Sequence, residues 1–282
     1  MSITGIKENK EILTFLLKDV DVSVANALRR TLLMDIESWA LGEIVLKKNK
    51  TPFIDEFLTD RIGLIPINQK EVKKESPTAF KLSAKGEINN TITVYSKDLK
   101  ASDNKKYFPD NIMITKLKGN KNTIEEIEAE AKLVRGTSKI NSKWAVLTVC
   151  GYAIDEHGFK FTVEAREVQS PKKSVKDAFD VLTKRLKDLK ENIEKNNEKK
   201  VKIDKVNNKY FVYLYQEGHT IGNLLSSHIQ NKFKDIPFVA YEVPHPLEET
   251  VLITLVGINP VEAINKSIND LVKLFEKIRG VF

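Results

Sequence analysis

The chain has 282 residues, 41% hydrophobic and 30% charged, with 46 Lys and Arg against 39 Asp and Glu for a formal charge of +7. That balance excludes wholesale disorder and suits two domains, on a prior of roughly 100–200 residues each. No apolar run approaches the roughly 18 residues that span a bilayer. Met1 to Lys7 lacks the charged start and apolar stretch of a signal peptide, so the sequence reads as a soluble intracellular protein.

Glu11 to Lys18 reads as a strand, and Ser23 offers an N-cap hydroxyl to the helix that follows. Val24, Ala27, Leu28, Thr31 and Leu32 recur at three- and four-residue intervals to about Asp35, giving one apolar face flanked by Arg29 and Arg30. A strand is expected around Leu41 to Leu46, broken at Thr51-Pro52. Phe53 to Ile62 then forms a short helix stopped by Gly63 and Pro66. Its apolar residues Phe53, Ile54, Phe57, Leu58 and Ile62 lie on one side, and Asp55, Glu56, Asp60 and Arg61 mostly on the other.

Between about Asn68 and Gly158 the texture changes to short stretches: Phe80 to Leu82, Ile92 to Tyr95, Ile112 to Leu117, Ile124 to Leu133 and Ala145 to Cys150. Turn residues such as Lys118-Gly119-Asn120 separate them, which predicts a mostly β module inserted into the first domain. Ser102 to Pro109 reads as an exposed loop.

Phe159 to Ala165 alternates with period two, and Ser170-Pro171 ends that strand. Ser174 then caps a helix in which Val175, Phe179, Leu182, Leu186, Leu189 and Ile193 recur at alternating intervals of four and three, a seam built to meet another helix. Asn196 to Lys200 is a charged hinge without apolar residues and the best boundary. Beyond it come a strand at Tyr210 to Tyr215, a helix from Thr220 to about Phe233, and strands at Val239 to Val243 and Val251 to Val256. Pro260 opens the last helix as an N1 proline. There Val261, Ile264, Ile268, Leu271, Phe275 and Ile278 keep the same spacing.

One plan is thus written twice. Ser23-Val24-Ala25-Asn26-Ala27-Leu28 and Thr220-Ile221-Gly222-Asn223-Leu224-Leu225 follow a single template of hydroxyl, β-branched, small, Asn, apolar and Leu residues. Two units cannot make a solenoid. The duplication predicts two α+β modules, each an antiparallel sheet with helices, arranged about a pseudo-twofold axis like a diverged and joined homodimer. Facing the long helices together buries two stripes that would otherwise be exposed. The expected dimerisation interface comprises Asn26, Leu28 and Leu32 with Thr220, Asn223 and Leu225, and Phe179, Leu182, Leu186 and Leu189 with Ile264, Ile268, Leu271 and Phe275. Residues 1–67 and 159–199 form the first module, 68–158 the inserted domain and 200–282 the second module.

Asn26 and Asn223 either receive a hydrogen bond from the opposite module or point at solvent. Cys150 follows Val146-Leu147-Thr148-Val149 and reads as a buried, inert thiol. His219, His245 and Cys150 lack the spacing that sets a base and an orienting carboxylate beside a nucleophile. Glu125, Glu126, Glu128 and Glu130 read as a solvated strand edge rather than a cation site. A single cysteine and four scattered histidines make neither a disulfide nor a Cys/His zinc set.

Asn26-Ala27-Leu28-Arg29-Arg30, followed by Asp60-Arg61-Ile62-Gly63-Leu64-Ile65-Pro66, resembles the larger alpha-like subunit of multisubunit DNA-directed RNA polymerases, in its archaeal form and its eukaryotic counterpart. The bacterial alpha N-terminal domain is a more distant relative. His219-Thr220-Ile221-Gly222-Asn223-Leu224-Leu225, followed by Tyr241 and Pro244-His245-Pro246-Leu247, resembles the small alpha-like partner, again archaeal and eukaryotic. The chain as a whole resembles a natural fusion of that pair, similar to polymerase subunits of large DNA viruses that transcribe in the host cytoplasm.

The resemblance implies a non-catalytic assembly platform that seats the two large catalytic subunits. Arg29, Arg30, Asp60, Arg61, Lys143 and Trp144 would serve in docking, the arginines through forked bonds that Lys cannot make; the alternative is a solvated pair of surface arginines. It further implies a small zinc-binding polymerase subunit as partner, DNA reached only through the complex, no membrane contact, and a location in the host cytoplasm at a viral factory and in the virion, or in the nucleus. No metal or cofactor is expected, because one cysteine cannot hold the zinc or iron–sulfur group that larger alpha-like subunits often carry. The competing reading is a free-standing basic nucleic-acid-binding protein, with duplex affinity falling steeply with salt.

Overall fold

The computed structural model describes residues 2–72, 79–165 and 169–282. Residues 1, 73–78 and 166–168 of the expected domains lie outside the described residues. The elements in chain order are β1 (Ser2–Asn9), β2 (Ile12–Lys18), α1 (Val22–Met34), β3 (Glu37–Asn49), α2 (Asp55–Gly63), β4 (Ala79–Lys85), β5 (Thr91–Tyr95), β6 (Lys100–Ala101), β7 (Met113–Lys118), β8 (Glu126–Thr137), β9 (Leu147–Asp155) and β10 (Gly158–Ala165). They continue as α3 (Pro171–Glu194), β11 (Val201–Val206), β12 (Lys209–Tyr215), α4 (His219–Lys232), β13 (Phe238–Glu242), β14 (Thr250–Val256) and α5 (Pro260–Arg279).

The chain divides into two compact units. One takes the chain up to Asp35 with Val149–Glu164 and Pro171–Phe282, and the other takes Ile36–Thr148 with Ala165–Ser170. These divisions differ from the expected 67/68 and 158/159. Strand β3 and helix α2 share the core of the β-rich unit, and β9 joins the sheet of β10.

The first unit contains two four-stranded sheets of the same order, β1-β2-β10-β9 and β11-β12-β14-β13. Each is built from a hairpin, a helix, two further strands and a second helix. The pairings of β1, β2 and β10, and all those of the second sheet, are antiparallel. Phe15 and Phe161 sit opposite each other on β2 and β10 with rings stacked at 5.0 Å, and Phe282 meets Phe15 edge-on at 5.0 Å. Neither β1 nor β11 is visible in the hydrophobic pattern. Both are sheet-edge strands exposed along most of their length, and β11 is rich in charge, as edges that must avoid further pairing tend to be.

Three helix starts differ from expectation. Asp21, not Ser23, caps α1, its carboxylate accepting from the Ser23 amide at 2.8 Å. Helix α3 already begins at Pro171, so Ser174 lies buried inside it, and α4 begins after Gly218, with Thr220 in its first turn. A hydroxyl residue near a helix start is a weaker signal than an aspartate two positions earlier or a proline pre-set for the first turn. The α5 start is as read: Asn259 caps the Val261 and Glu262 amides and Pro260 follows it. Val261 nonetheless faces outward, and Ala263 takes the buried place.

The second unit is mostly β, with a sheet of order β3-β8-β4-β6, a ribbon of β5 and β7, and α2 packed on β3. Phe80, Leu82, Ile127, Leu133, Leu58 and Ile62 belong to one apolar core. Strand β3 runs far beyond the expected Leu41 to Leu46, carrying irregular pairing between Gly42 and Val45 where Glu43 adopts φ +46°. The stretch read as an exposed loop buries Tyr107 and Phe108 against Phe80, at 5.5 and 5.6 Å. The apolar side expected on α2 splits: Leu58 and Ile62 are buried, whereas Phe53, Ile54 and Phe57 are exposed.

The glutamates of β8 are not on an edge, because β8 pairs with β3 on one side and β4 on the other. Ile127, Ala129 and Ala131 point into the core, while Glu126 meets Lys48 at 2.7 Å and Glu130 meets Lys47 at 2.6 Å on the open face. The hydrogen bonds from those lysines hold both carboxyls below their ordinary values.

Gly222 fills the small-residue slot of the second template copy. A Cβ there would lie 2.7 Å from Tyr241 Cδ2 and 2.8 Å from Val251 Cγ1. Alanine gains up to about 1 kcal/mol in helix propensity, but forcing a methyl into a packed site costs about 1–3 kcal/mol. Val251 is fully buried and stiff, so the packing cost prevails. Gly222→Ala should therefore lower stability, read as a reduced urea midpoint with unchanged slope.

Candidate module interface

Within the first unit α3 packs along α5, and α1 along α4. The long helices run antiparallel: Asp180 meets Arg279 at 2.5 Å, whereas Lys190 meets Asn269 at 3.0 Å. Between those rim contacts the rings of Phe179 and Phe275 meet at 5.7 Å, inclined by 44°. Leu182, Leu186 and Leu189 of α3, and Ile264, Ile268 and Leu271 of α5, are all buried. The α1–α4 crossing carries an Arg30 Nε bond to Thr220 Oγ1 at 3.0 Å and an Asn231 bond to the Asp21 carboxylate at 3.2 Å. Leu28, Leu32, Thr220 and Leu225 are buried there.

The two template asparagines act locally. Asn26 Oδ1 accepts from Arg29 at 2.8 Å, and Asn223 Oδ1 accepts from Ser227 at 3.2 Å, each bond staying within its own helix. Cys150 lies beside Arg29; burial pushes its thiol up to about 12, against the opposing pull of the guanidinium. Burial also pushes the His228 imidazole down, with Asp270 pulling the other way.

Sequence reasoning missed Arg185. It projects from α3 and donates to Asp35 at 3.0 Å and to Glu217 at 2.5 Å, joining the end of α1 to the approach to α4. Burial opposes its charge, yet the attraction and hydrogen bonds of Glu217 and Asp35 outweigh that cost and raise its pKa further. An arginine beside Leu186 in the seam helix was the available signal. Its two acidic partners are 150 and 32 residues away in sequence, and only the fold brings them together.

The residues read as docking groups are placed unequally. Arg30 is engaged with Thr220, and Arg61 is engaged inside the β-rich unit, donating to the Ile114 carbonyl at 2.8 Å and the Met113 carbonyl at 2.9 Å. Asp60 and Lys143 line an open cleft of about 330 Å³ with Gly42, Glu43 and Glu56. Trp144 is held by its indole N–H on the Val134 carbonyl at 3.1 Å, with the Lys143 ammonium 4.4 Å above the ring. Among the described residues no helix is long and apolar enough to cross a membrane.

The fold therefore defines a protein of two like α+β modules whose helices pack module on module. Two matches to the RNA polymerase Rpb3/Rpb11 dimerisation domain fall on the chain, over residues 14–186 and 211–280. The chain belongs to that family. It is 29% identical over 162 residues to DNA-directed RNA polymerase subunit Rpo3 of Methanocaldococcus jannaschii, covering 57% of this chain and 80% of that protein. Rpo3 of Methanosphaera stadtmanae is 34% identical over 167 residues, covering 54% of this chain and 60% of that protein. The probable DNA-directed RNA polymerases I and III subunit RPAC2 of Caenorhabditis elegans is 40% identical over 72 residues, covering 24% of this chain and 49% of that protein.

Replacing Arg185 by Met keeps the stem's apolar contacts but leaves Asp35 and Glu217 mutually repelling in a partly desolvated site. The loss expected is about 2–4 kcal/mol. Chemical denaturation at neutral pH measures it, and Arg185→Lys should recover only part, because one ammonium does not reproduce the fork.

Proposed function

We propose that this chain is a non-catalytic assembly-platform subunit of a DNA-directed RNA polymerase, a fusion of a larger and a small alpha-like module in pseudo-twofold arrangement. The observation that carries this reading is that both Rpb3/Rpb11 dimerisation matches fall on one chain, one on each sheet-and-helix module of equal topology. Residues 1–35 with 149–199 form the first module in this reading, 200–282 the second, and 36–148 the inserted domain.

The platform presents its docking surface to the two large catalytic subunits. Asp60 and Lys143, which line an open cleft, are better suited to this than Arg30 and Arg61, whose guanidinium groups are engaged within the chain. Arg29 retains donors beyond its bond to Asn26, and Trp144 supplies a held aromatic face beneath Lys143. A small zinc-binding polymerase subunit completes the set of partners, and DNA is reached through the complex. The viral setting, with its cytoplasmic factory and virion or alternatively a nuclear site, rests on the resemblance alone.

Co-purification of the tagged chain with the two large subunits tests the proposal. Lys143→Glu should cut their recovery at least tenfold while leaving the circular dichroism spectrum unchanged. Retrieval of neither large subunit by the unaltered chain, together with salt-sensitive binding of bare duplex DNA, would instead favour the nucleic-acid-binding alternative.

A further inference from the structure

Adding 89 to the number of each buried position of α3 gives a buried position in or just beyond α5: Pro171 corresponds to Pro260, Phe179 to Ile268, Leu186 to Phe275. The template repeat sets a shift of 197 for the other helix pair, which matches cap to cap, Asp21 to Gly218. By the first shift Lys187 corresponds to Glu276. Those two side chains are bonded to each other at 2.7 Å.

A contact between corresponding positions has a particular consequence. If two first modules paired with the same geometry, Lys187 would face a second Lys187; if two second modules paired, Glu276 would face a second Glu276. The buried lock obeys the same logic. Arg185 corresponds to Leu274 and Glu217 to Val20. A pair of first modules would thus set Arg185 near Val20, and a pair of second modules would set the carboxylate of Glu217, now 14% exposed, near Leu274. Like charges across the seam disfavour both like pairings; in a pair of first modules Arg185 would keep Asp35 of its own module but lose its second carboxylate, and in a pair of second modules Glu217 would lose the Arg185 guanidinium.

We propose that Lys187, Glu276, Arg185 and Glu217 form a charge code that makes the first module pair with the second and rejects pairing of like modules from separate copies. The proposal rests on the modular pairing put forward above. Phe179 and Phe275 make the interface adhesive but carry no such information, since apolar residues occupy corresponding places on both helices. Specificity is assigned to these four residues and not to the Asp180–Arg279 rim pair, because a pair of first modules would set Asp180 opposite Lys190 and keep an attraction there.

The test starts from the folded full chain carrying a protease site within 195–200. The chain is nicked, allowed to exchange partners, and read by native mass spectrometry. The unaltered nicked chain should remain a complex of unlike halves. The neutral variant Lys187→Gln/Glu217→Gln/Glu276→Gln should raise the share of like pairs about three- to tenfold. The charge swap Lys187→Glu/Glu276→Lys, which restores attraction between unlike halves, should keep the unaltered share. An unchanged share in the neutral variant, or a raised share in the swap, would overturn the code. Separation of the nicked chain into single halves would overturn the module pairing itself, and the code with it.

Discussion

The contact on which the first unit depends is the burial of the α3 ridge against the α5 ridge. Each helix carries an apolar line of alternating four- and three-residue spacing, and both lines are buried where the two helices pack. Burying a Leu, Ile or Phe side chain contributes about 1.5–3 kcal/mol relative to exposure, so a seam with Leu182, Leu186, Ile268, Leu271 and the Phe179–Phe275 ring pair outweighs any single polar contact around it. The link between α3 and β11 is short, and it holds the two ridges at high effective concentration. The exposed rim pairs add little to adhesion. They fix which residue lies opposite which.

The two modules share one plan and differ at their polar positions. Thr220 accepts from Arg30, but no arginine serves the corresponding Ser23 hydroxyl, which lies by the Asp21 carboxylate, because Ser227 stands where a second arginine would be needed. The end of α1 bears Asp35, which meets Arg185, whereas the end of α4 bears Lys232, which meets Asp270. A pair of identical modules would use each of these contacts twice. Here these three are each used once, whereas Asp180–Arg279 and Asn269–Lys190 join corresponding positions, and the likeness of the modules persists in the apolar residues and the strand order.

The likeness of the two modules, the two seams and the class of fold were legible because they are written in periodicity: spacing of 3.5 residues for Val175 to Ile193, period two for Phe159 to Ala165, and one six-residue template repeated. Strands β1 and β11 were illegible because edge strands bury little and carry charge on both faces. Tyr107 and Phe108 were read as loop because their burial depends on Phe80, a contact set by tertiary packing rather than by local pattern. The same holds for the site. Leu28, Leu182 and Phe275 announce themselves by spacing; Arg185 does not, since its acidic partners come from two other segments. Arg30 and Arg61 looked available because sequence shows a charge without showing the carbonyl or hydroxyl that engages it.

Amide hydrogen exchange of the intact chain under native conditions tests the central packing claim most directly, with Leu182→Ala as the perturbation. If the two ridges hide one another, the amides of α3 and α5 open together, and the substitution in α3 raises exchange in α5 to the same extent. Exchange accelerated in α3 alone, with α5 protection untouched, would show that the last helix is stabilised elsewhere and would contradict the account.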